Sequence, residues 1–446
     1  MTSSGNQGSI EFKRLEQDEL DHLLRAHAAF LEGGSGGLRA QLAFHDLSNL
    51  DLNDRNLRDI DFSGTKLRQA TLKGAQLISA NLFAADLSVA SLDGADLTRA
   101  DLRGACFRGA VLTDAAMTEA DLREGVLAKY DAQRDLEVVT FGATPAELTT
   151  VLAARADLSG AKLSNAFVVQ ADFTDAILKG ARLNRADLRN TVLTGADMSG
   201  ADLSDSNLSG ANMQGAMLSG ATWSNAVLDG ADLRGAAIDP EALETAYFRS
   251  AKMPQPLEGL ERTLSEVVSE HATWVESSGG GGRQAVLSDV NLSGQDLRGA
   301  NLAAAKLDRC ILLECNFAGA DLTMSDLSLS DARGSNFNQA NLRGASLQRG
   351  IFNGADFSGA LLSPLPIHGA TDQLWPANLE QAKFVDAKLG GAQLSGANLT
   401  GTDLTGADLT GADLSGANVA GTKFQGAGVE GANFEGVDLS QAARPD

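Results

Sequence analysis

The chain has 446 residues, 58 acidic against 36 basic side chains for a net charge of −22, 5% aromatic residues and 48 glycines. That acidity argues against direct contact with nucleic acid or an anionic membrane, and few aromatics among many glycines suit a narrow core better than a roomy ligand pocket. No apolar run reaches membrane-spanning length and the start, MTSSGNQGSIEFKR, lacks the hydrophobic region of a secretory signal, so a cytoplasmic protein is expected.

Residues 1–17 read as a disordered or extended N-terminus. From Asp18 to Glu32 the pattern is that of an amphipathic helix, with Asp18 as N-cap, Leu20, Leu23, Leu24, His27 and Leu31 on one stripe, and a Gly-rich turn after it. A five-residue repeat comes next, its central residues running from Leu42, Leu47 and Leu52 through Phe62 to Leu127. The period is lost over about 128–155, which reads as a loop leading to a short helix from Pro145 to Ala154. A second block runs in a new phase from Leu158 to Ile238, with Trp223 at a central position of its last coil. A helical piece, Pro240 to Phe248, and the linker KMPQPLEG close this part.

The first helix then returns. Leu20, Leu23, Leu24, His27, Phe30 and Leu31 match Leu264, Val267, Val268, His271, Trp274 and Val275 at a constant offset, so the chain contains a duplication. Further blocks have centres from Leu287 to Leu362 and from Leu379 to Leu439, interrupted at about 363–376. There Pro364, Pro366 and Pro376 cannot donate to a ladder, which predicts a projecting loop. The expected organisation is two consecutive units, 18–252 and 257–446, each a helix with repeats after it.

The repeat is clearest in GANLTGTDLTGADLTGADLSGANVAG, Gly396 to Gly421: small residue, Asp or Asn, Leu, Ser or Thr, Gly. A period of five fits neither a 3.6-residue helix nor an alternating strand, so the chain turns a corner once per repeat and forms a solenoid. The run resembles the pentapeptide-repeat family. That resemblance implies an all-β solenoid, a right-handed quadrilateral β-helix with four repeats per coil, with the central residue and the small residue two before it pointing inward. Here short α-helical caps would be added: a helix ahead of a solenoid can cover the open strand edges and Leu side chains of the first coil, which makes His27, Phe30, His271 and Trp274 cap-helix residues.

Four repeats per coil put like residues in register every twenty positions. Phe317, Phe337 and Phe357 obey this, as do Phe384 and Phe424 with Leu404 between them, and these five are assigned to the structural core. Outside, Asp61, Asn81, Asp101 and Asp121 form one file and Asn301, Asp321 and Asn341 another. The family geometry places Cys310 and Cys315 inside the coil and Cys106 outside it, open to oxidation.

Catalytic, cofactor and metal motifs are missing: the chain has no Walker loop, dinucleotide fingerprint, HExxH or CxxC, and its five His are scattered. Ser residues sit on flat faces without a His base. A straight row of Asp and Asn supplies turn hydrogen bonds, not the converging oxygens of a Ca²⁺ site. The leading reading is therefore a non-enzymatic scaffold that binds an unknown protein partner. Candidate contacts are Tyr130, Phe141, His368 and Trp375 in the interruptions, together with Asp61, Asp101 and Asp121. The alternative is an acidic DNA-mimic regulator of a DNA-binding enzyme such as gyrase, resembling the pentapeptide proteins that protect gyrase from quinolones.

Overall fold

The computed structural model describes residues 12–125, 127–130, 136–139, 145–243, 246–366 and 374–442. The chain divides into two compact units, Met1–Asn212 with Leu218–Ala231 and Ile238–Ala251, and Met213–Met217 with Asp232–Ala237 and Lys252–Asp446.

Both units are β-helical solenoids held by parallel bridges at a twenty-residue register. Asp61 pairs with Asn81, Asn81 with Asp101 and Asp101 with Asp121, and the file Asn301, Asp321, Asn341 pairs in the same way. Four such files recur per coil, as in Gln76↔Asp96, Asn81↔Asp101, Asp86↔Cys106 and Ser91↔Val111. Each short strand is bonded on both sides: Leu97 N–H donates to Ala116 O at 2.7 Å, and Asp96 N–H donates to Ala75 O at 2.9 Å. The corner after Leu97 closes with Ala100 N–H on Leu97 O at 3.0 Å, a tight turn. Two residues past most centres the backbone is left-handed, at φ +65° for Gly401 and +57° for Arg99. Only Gly takes that conformation without strain, which is why this position is so often Gly.

Central and small residues fill the core. Leu97 and Ala95 are wholly buried. Phe317, Phe337 and Phe357 stack at centroid separations of 4.9 and 4.5 Å. Phe384 stacks at 5.0 Å on Phe352, a residue that the count of twenty misses because an insertion lies between them. Phe424, assigned to the core, is only half-buried, because it lies in the last described coil.

At the N-terminus the sequence expectations shift. Strand β1 (Lys13–Arg14) precedes helix α1 (Gln17–Leu31) and pairs in parallel with β2 (His45–Asp46), so residues 13 and 14 are a rung of the ladder and Leu15 is buried. The N-cap is Glu16 and not Asp18; its N–H donates to Glu19 Oε2 at 3.0 Å. Leu20, Leu24 and His27 form the buried stripe of α1. Gly37 approaches α1 so closely that a Cβ would strike the main chain at Phe30, which accounts for the Gly-rich turn.

The first interruption is a hairpin: β3 (Leu127–Tyr130) runs antiparallel to β4 (Leu136–Val139). Leu127 is thus a hairpin residue and not the last centre of its block. The expected helix from Pro145 to Ala154 is absent; these residues are ladder. Cys106 pairs with Glu147, forty-one residues on instead of twenty, and Val111 pairs with Leu152. The repeat AELTT-VLAAR-ADLSG puts Ala146, Leu148, Val151 and Ala153 inside, all fully buried, and stacking on an existing coil overrides the helix propensity of Ala, Leu and Glu.

Trp223, at 6% exposed, packs edge-on against Phe248 at 5.2 Å, beyond the short helix α2 (Pro240–Leu243) in a 3₁₀ turn over Ala246–Ser250. The expected linker at Met253–Pro256 contains a further rung: β5 (Gln255–Pro256) leads to α3 (Leu264–Glu276) and pairs in parallel with β6 (Val290–Asn291), repeating the β1–α1–β2 plan. The second interruption is also a hairpin, β7 (Leu365–Pro366) against β8 (Leu374–Trp375), and the ladder again skips it, Ser346 pairing with Asn378, thirty-two residues on.

Replacing Leu97 by Asp places an uncompensated carboxylate between coils, a cost of roughly 3–5 kcal/mol or more. We expect the native circular dichroism and cooperative melt of the first unit to be lost; a native-like melt would show that this position does not face the core.

Candidate functional site

The candidate surface is built from the outward residues of the ladder and from its interruptions. The file Asp61, Asn81, Asp101, Asp121 lies on one face as the spacing predicted, but it is not a stripe of free charge. Asn81 Nδ2–H donates to Asp61 Oδ1 at 3.0 Å. Asp101 is held by Arg103, with Nε on Oδ1 at 2.8 Å and Nη2 on Oδ2 at 2.7 Å. Asp121 is held in the same way by Arg123, and Lys162, the next residue of the file, stands 3.8 Å from it. Burial opposes ionisation of Asp121, yet the Arg123 hydrogen bonds prevail and hold its carboxyl below the ordinary 3.8.

The same clamp recurs wherever the repeat reads Asp-Leu-Arg: Arg189 on Asp187 and Arg298 on Asp296; Arg333 closes it on Asp331, where Ala stands at the centre. In each, the Asp oxygen also accepts the N–H two residues on, so one carboxylate shapes the turn and receives the fork. Where Ser or Thr replaces Arg, the hydroxyl donates instead, as Ser159 does to Asp157 and Thr174 to Asp172, both at 2.6 Å. Many ladder Ser and Asp groups are committed to each other in this way.

The interruptions differ. Leu374 and Trp375 in β8 are 61% and 52% exposed, the indole lying against Gly344. Tyr130 ends β3. Phe141 and His368 lie outside the described residues.

His27 and His271 are buried beside equivalent turns. Nδ1 of His27 accepts Ala40 N–H at 3.3 Å and Nε2 donates to Arg58 O at 3.0 Å, while the ring stacks on Phe30 at 6.1 Å. Nδ1 of His271 accepts Ala285 N–H at 3.0 Å and its ring stacks on Trp274 at 5.5 Å. Both networks require the neutral ring.

Cys106 faces outward but is 4% exposed, between Ser88 Oγ at 3.3 Å and Glu147 Oε2 at 3.6 Å, and burial raises its thiol pKa, so it is not the oxidisable surface thiol expected. Cys310 and Cys315 are inside, their Sγ atoms donating to Leu287 O and Leu292 O at 2.9 Å. Among the described residues no three His, Cys, Asp or Glu side chains come together to hold a metal, and no helix is long and apolar enough to cross a membrane. A groove of about 500 Å³ beside α3 is lined by Leu264, Val268, Leu297 and Ala300.

A family model described as "Pentapeptide repeats (8 copies)" matches residues 46–82, 75–114, 90–127, 154–190, 171–210, 206–239, 285–323, 325–363, 377–416 and 402–441, well over half of the chain. The chain belongs to the pentapeptide-repeat family. Solved structures similar to this pentapeptide-repeat protein include HetL from the cyanobacterium Nostoc sp. strain PCC 7120, involved in heterocyst differentiation regulation, at 21% identity over 81% of this chain and 90% of that one, TM-score 0.18. Rfr23 from the cyanobacterium Cyanothece 51142 is 24% identical over 30% and 86% of the two chains, TM-score 0.23. QnrB1, a plasmid-mediated fluoroquinolone resistance protein, is 18% identical over 40% and 89%, TM-score 0.27. No curated protein sequence matches the chain.

For this pentapeptide-repeat protein the buried His27 gives a signed pH prediction. Burial pushes its pKa below the ordinary 6.5, so below about that pH the unfolded chain takes up a proton that the folded chain refuses, and stability falls as pH falls. His27→Gln keeps an acceptor and a donor, and should flatten the dependence of α1 hydrogen-exchange protection between about pH 7 and 5. An unchanged slope in the variant would mean that other groups govern it.

Proposed function

We propose that this protein is a non-enzymatic scaffold that binds another protein through the hairpins interrupting its ladders, and that each unit is a right-handed quadrilateral β-helix whose first coil is covered by its own helix. The observation that carries the binding role is the contrast at β8. Leu374 and Trp375 stand half or more exposed, while the adjoining centres Leu362 and Leu379 are at most 1% exposed. Repeating faces present nearly the same chemistry along the ladder and give a partner poor register, whereas an exposed indole on a hairpin is a distinct anchor. Tyr130, Phe141 and His368 belong to the same two interruptions.

The covering role of α1 and α3 is supported by their buried residues Leu20, Leu24, His27, Val267 and His271. The non-enzymatic reading rests on the commitment of ladder Ser and Asp groups to each other. The acidic-mimic reading draws on the net charge, and the fluoroquinolone-resistance protein QnrB1 is of the same repeat type. Against it stand Asn81, the Arg103 and Arg123 clamps, and Lys162 and Arg182, which continue the Asp61 file.

Trp375→Ala should leave the melting temperature nearly unchanged and weaken recovery of a captured partner by about 2 kcal/mol. Shortening residues 126–145 and 363–376 to small Gly/Ser turns should lower it further. If both shortened variants fold and bind fully, while charge reversal at Asp61, Asp101 and Asp121 abolishes binding, the acidic reading replaces this one.

A further inference from the structure

The last described coil of the second unit combines an open ladder edge, an apolar lining and an acidic rim. Val419 is the last buried centre; Phe424 and Phe434 are half-buried, and Val429 and Leu439 are 44% and 51% exposed. One coil earlier, Leu409, Gly411, Leu414 and Gly416 donate to the carbonyls of Gly428, Glu430, Asn433 and Glu435. The equivalent N–H groups of Val429, Gly431, Phe434 and Gly436 have no acceptor among the described residues. The corners here are Gly421, Gly426, Gly431 and Gly436, so no side chain stands over the turns.

The rim differs in charge from the rest of the ladder. Residues 377–442 contain no arginine, so the Asp-Leu-Arg clamp does not occur; Lys423 is the sole cation from residue 389 to 442, with Lys388 beside Asp408 one coil back and Arg444 following in the sequence. Asp408, Glu430, Glu435 and Asp438 are exposed and Asp413 is partly so. Hydrogen bonds from Thr410, Ser415 and Ser440 hold the carboxyls of Asp408, Asp413 and Asp438 below their usual range, so these groups stay ionised.

We propose that this edge is a docking site for an extended, basic segment of another protein, which adds a strand to the final coil. Its main chain takes up the N–H groups of one face, those of Val429 and Gly431, its aliphatic side chains cover Val429 and the adjoining core, and its Lys or Arg side chains meet Asp408, Glu430 and the rest of the carboxylate rim. Charge selects the occupant: a second copy would set the same five carboxylates against themselves, which disfavours self-association and favours a cationic partner. The site does not depend on the role of the hairpins.

The test uses the full chain and two labelled short peptides, one alternating lysine with valine and one alternating glutamate with valine, with fluorescence anisotropy as readout. The lysine peptide should bind and the glutamate peptide should not. Raising the salt, or reversing Glu430 and Glu435 to Lys, should weaken binding by about tenfold or more. Shortening the hairpins should leave it unchanged. If the reversal variant fails to fold by circular dichroism, the salt titration and Val429→Lys on the intact background decide. Equal binding of the two peptides, binding of neither, indifference to salt, or a dimer in sedimentation that Val429→Lys dissolves would each overturn the proposal.

Discussion

The structure depends on one hydrogen-bonded register: within the ladder a central residue such as Leu97 donates its N–H to a carbonyl one coil on, and the residue before it donates one coil back. Because strands are so short, no coil has a core of its own; burial of a Leu, worth about 1.5–3 kcal/mol, is realised only when a neighbouring coil lies against it. The five-residue repeat is the consequence, since a strand, a turn and a left-handed corner must each fall at the same place on every coil. An insertion is tolerated only between rungs. The ladder resumes in register after forty-one residues at Glu147 and after thirty-two at Asn378, and within the extra residues β3 pairs with β4 and β7 with β8.

The outward carboxylates are set by the same constraint. An Asp before the centre is retained because its oxygen accepts the N–H beyond the centre and fixes the turn. The residue just after the centre then decides the charge the surface shows. Arg at Arg103, Arg123 and Arg189 closes a clamp and neutralises the Asp, whereas Thr or Ser at Thr410 and Ser415 leaves it negative. The net charge of −22 is therefore unevenly expressed, and composition alone misleads about where a cationic partner would be attracted.

Much of this was legible in the sequence, because the register repeats and so announces itself in the spacing of Asp61 to Asp121 and of Phe317 to Phe357. The duplicated helices were legible from His27 and His271 and their aromatic partners. Three features were not. Residues 146–155 carry helix-forming Ala, Leu and Glu, and their place in the ladder depends on a coil far back in the chain. Phe352 and Phe384 touch across an insertion that breaks the count of twenty. The shielding of Cys106 depends on Ser88 and Glu147, contributed by neighbouring coils, which no local pattern reveals.

The scaffold reading rests on the claim that the ladder runs unbroken beneath its hairpins, so that the hairpins are additions to a continuous surface. Hydrogen exchange measured peptide by peptide tests this most directly. Amides of Glu147, Leu152, Asp157 and Lys162, which donate to carbonyls of the preceding coil, should be as protected as those of Asp96 and Asp101. Residues 127–139 should exchange faster. Rapid exchange at 147–162, matching that of the hairpin, would contradict the continuous ladder and the account built on it.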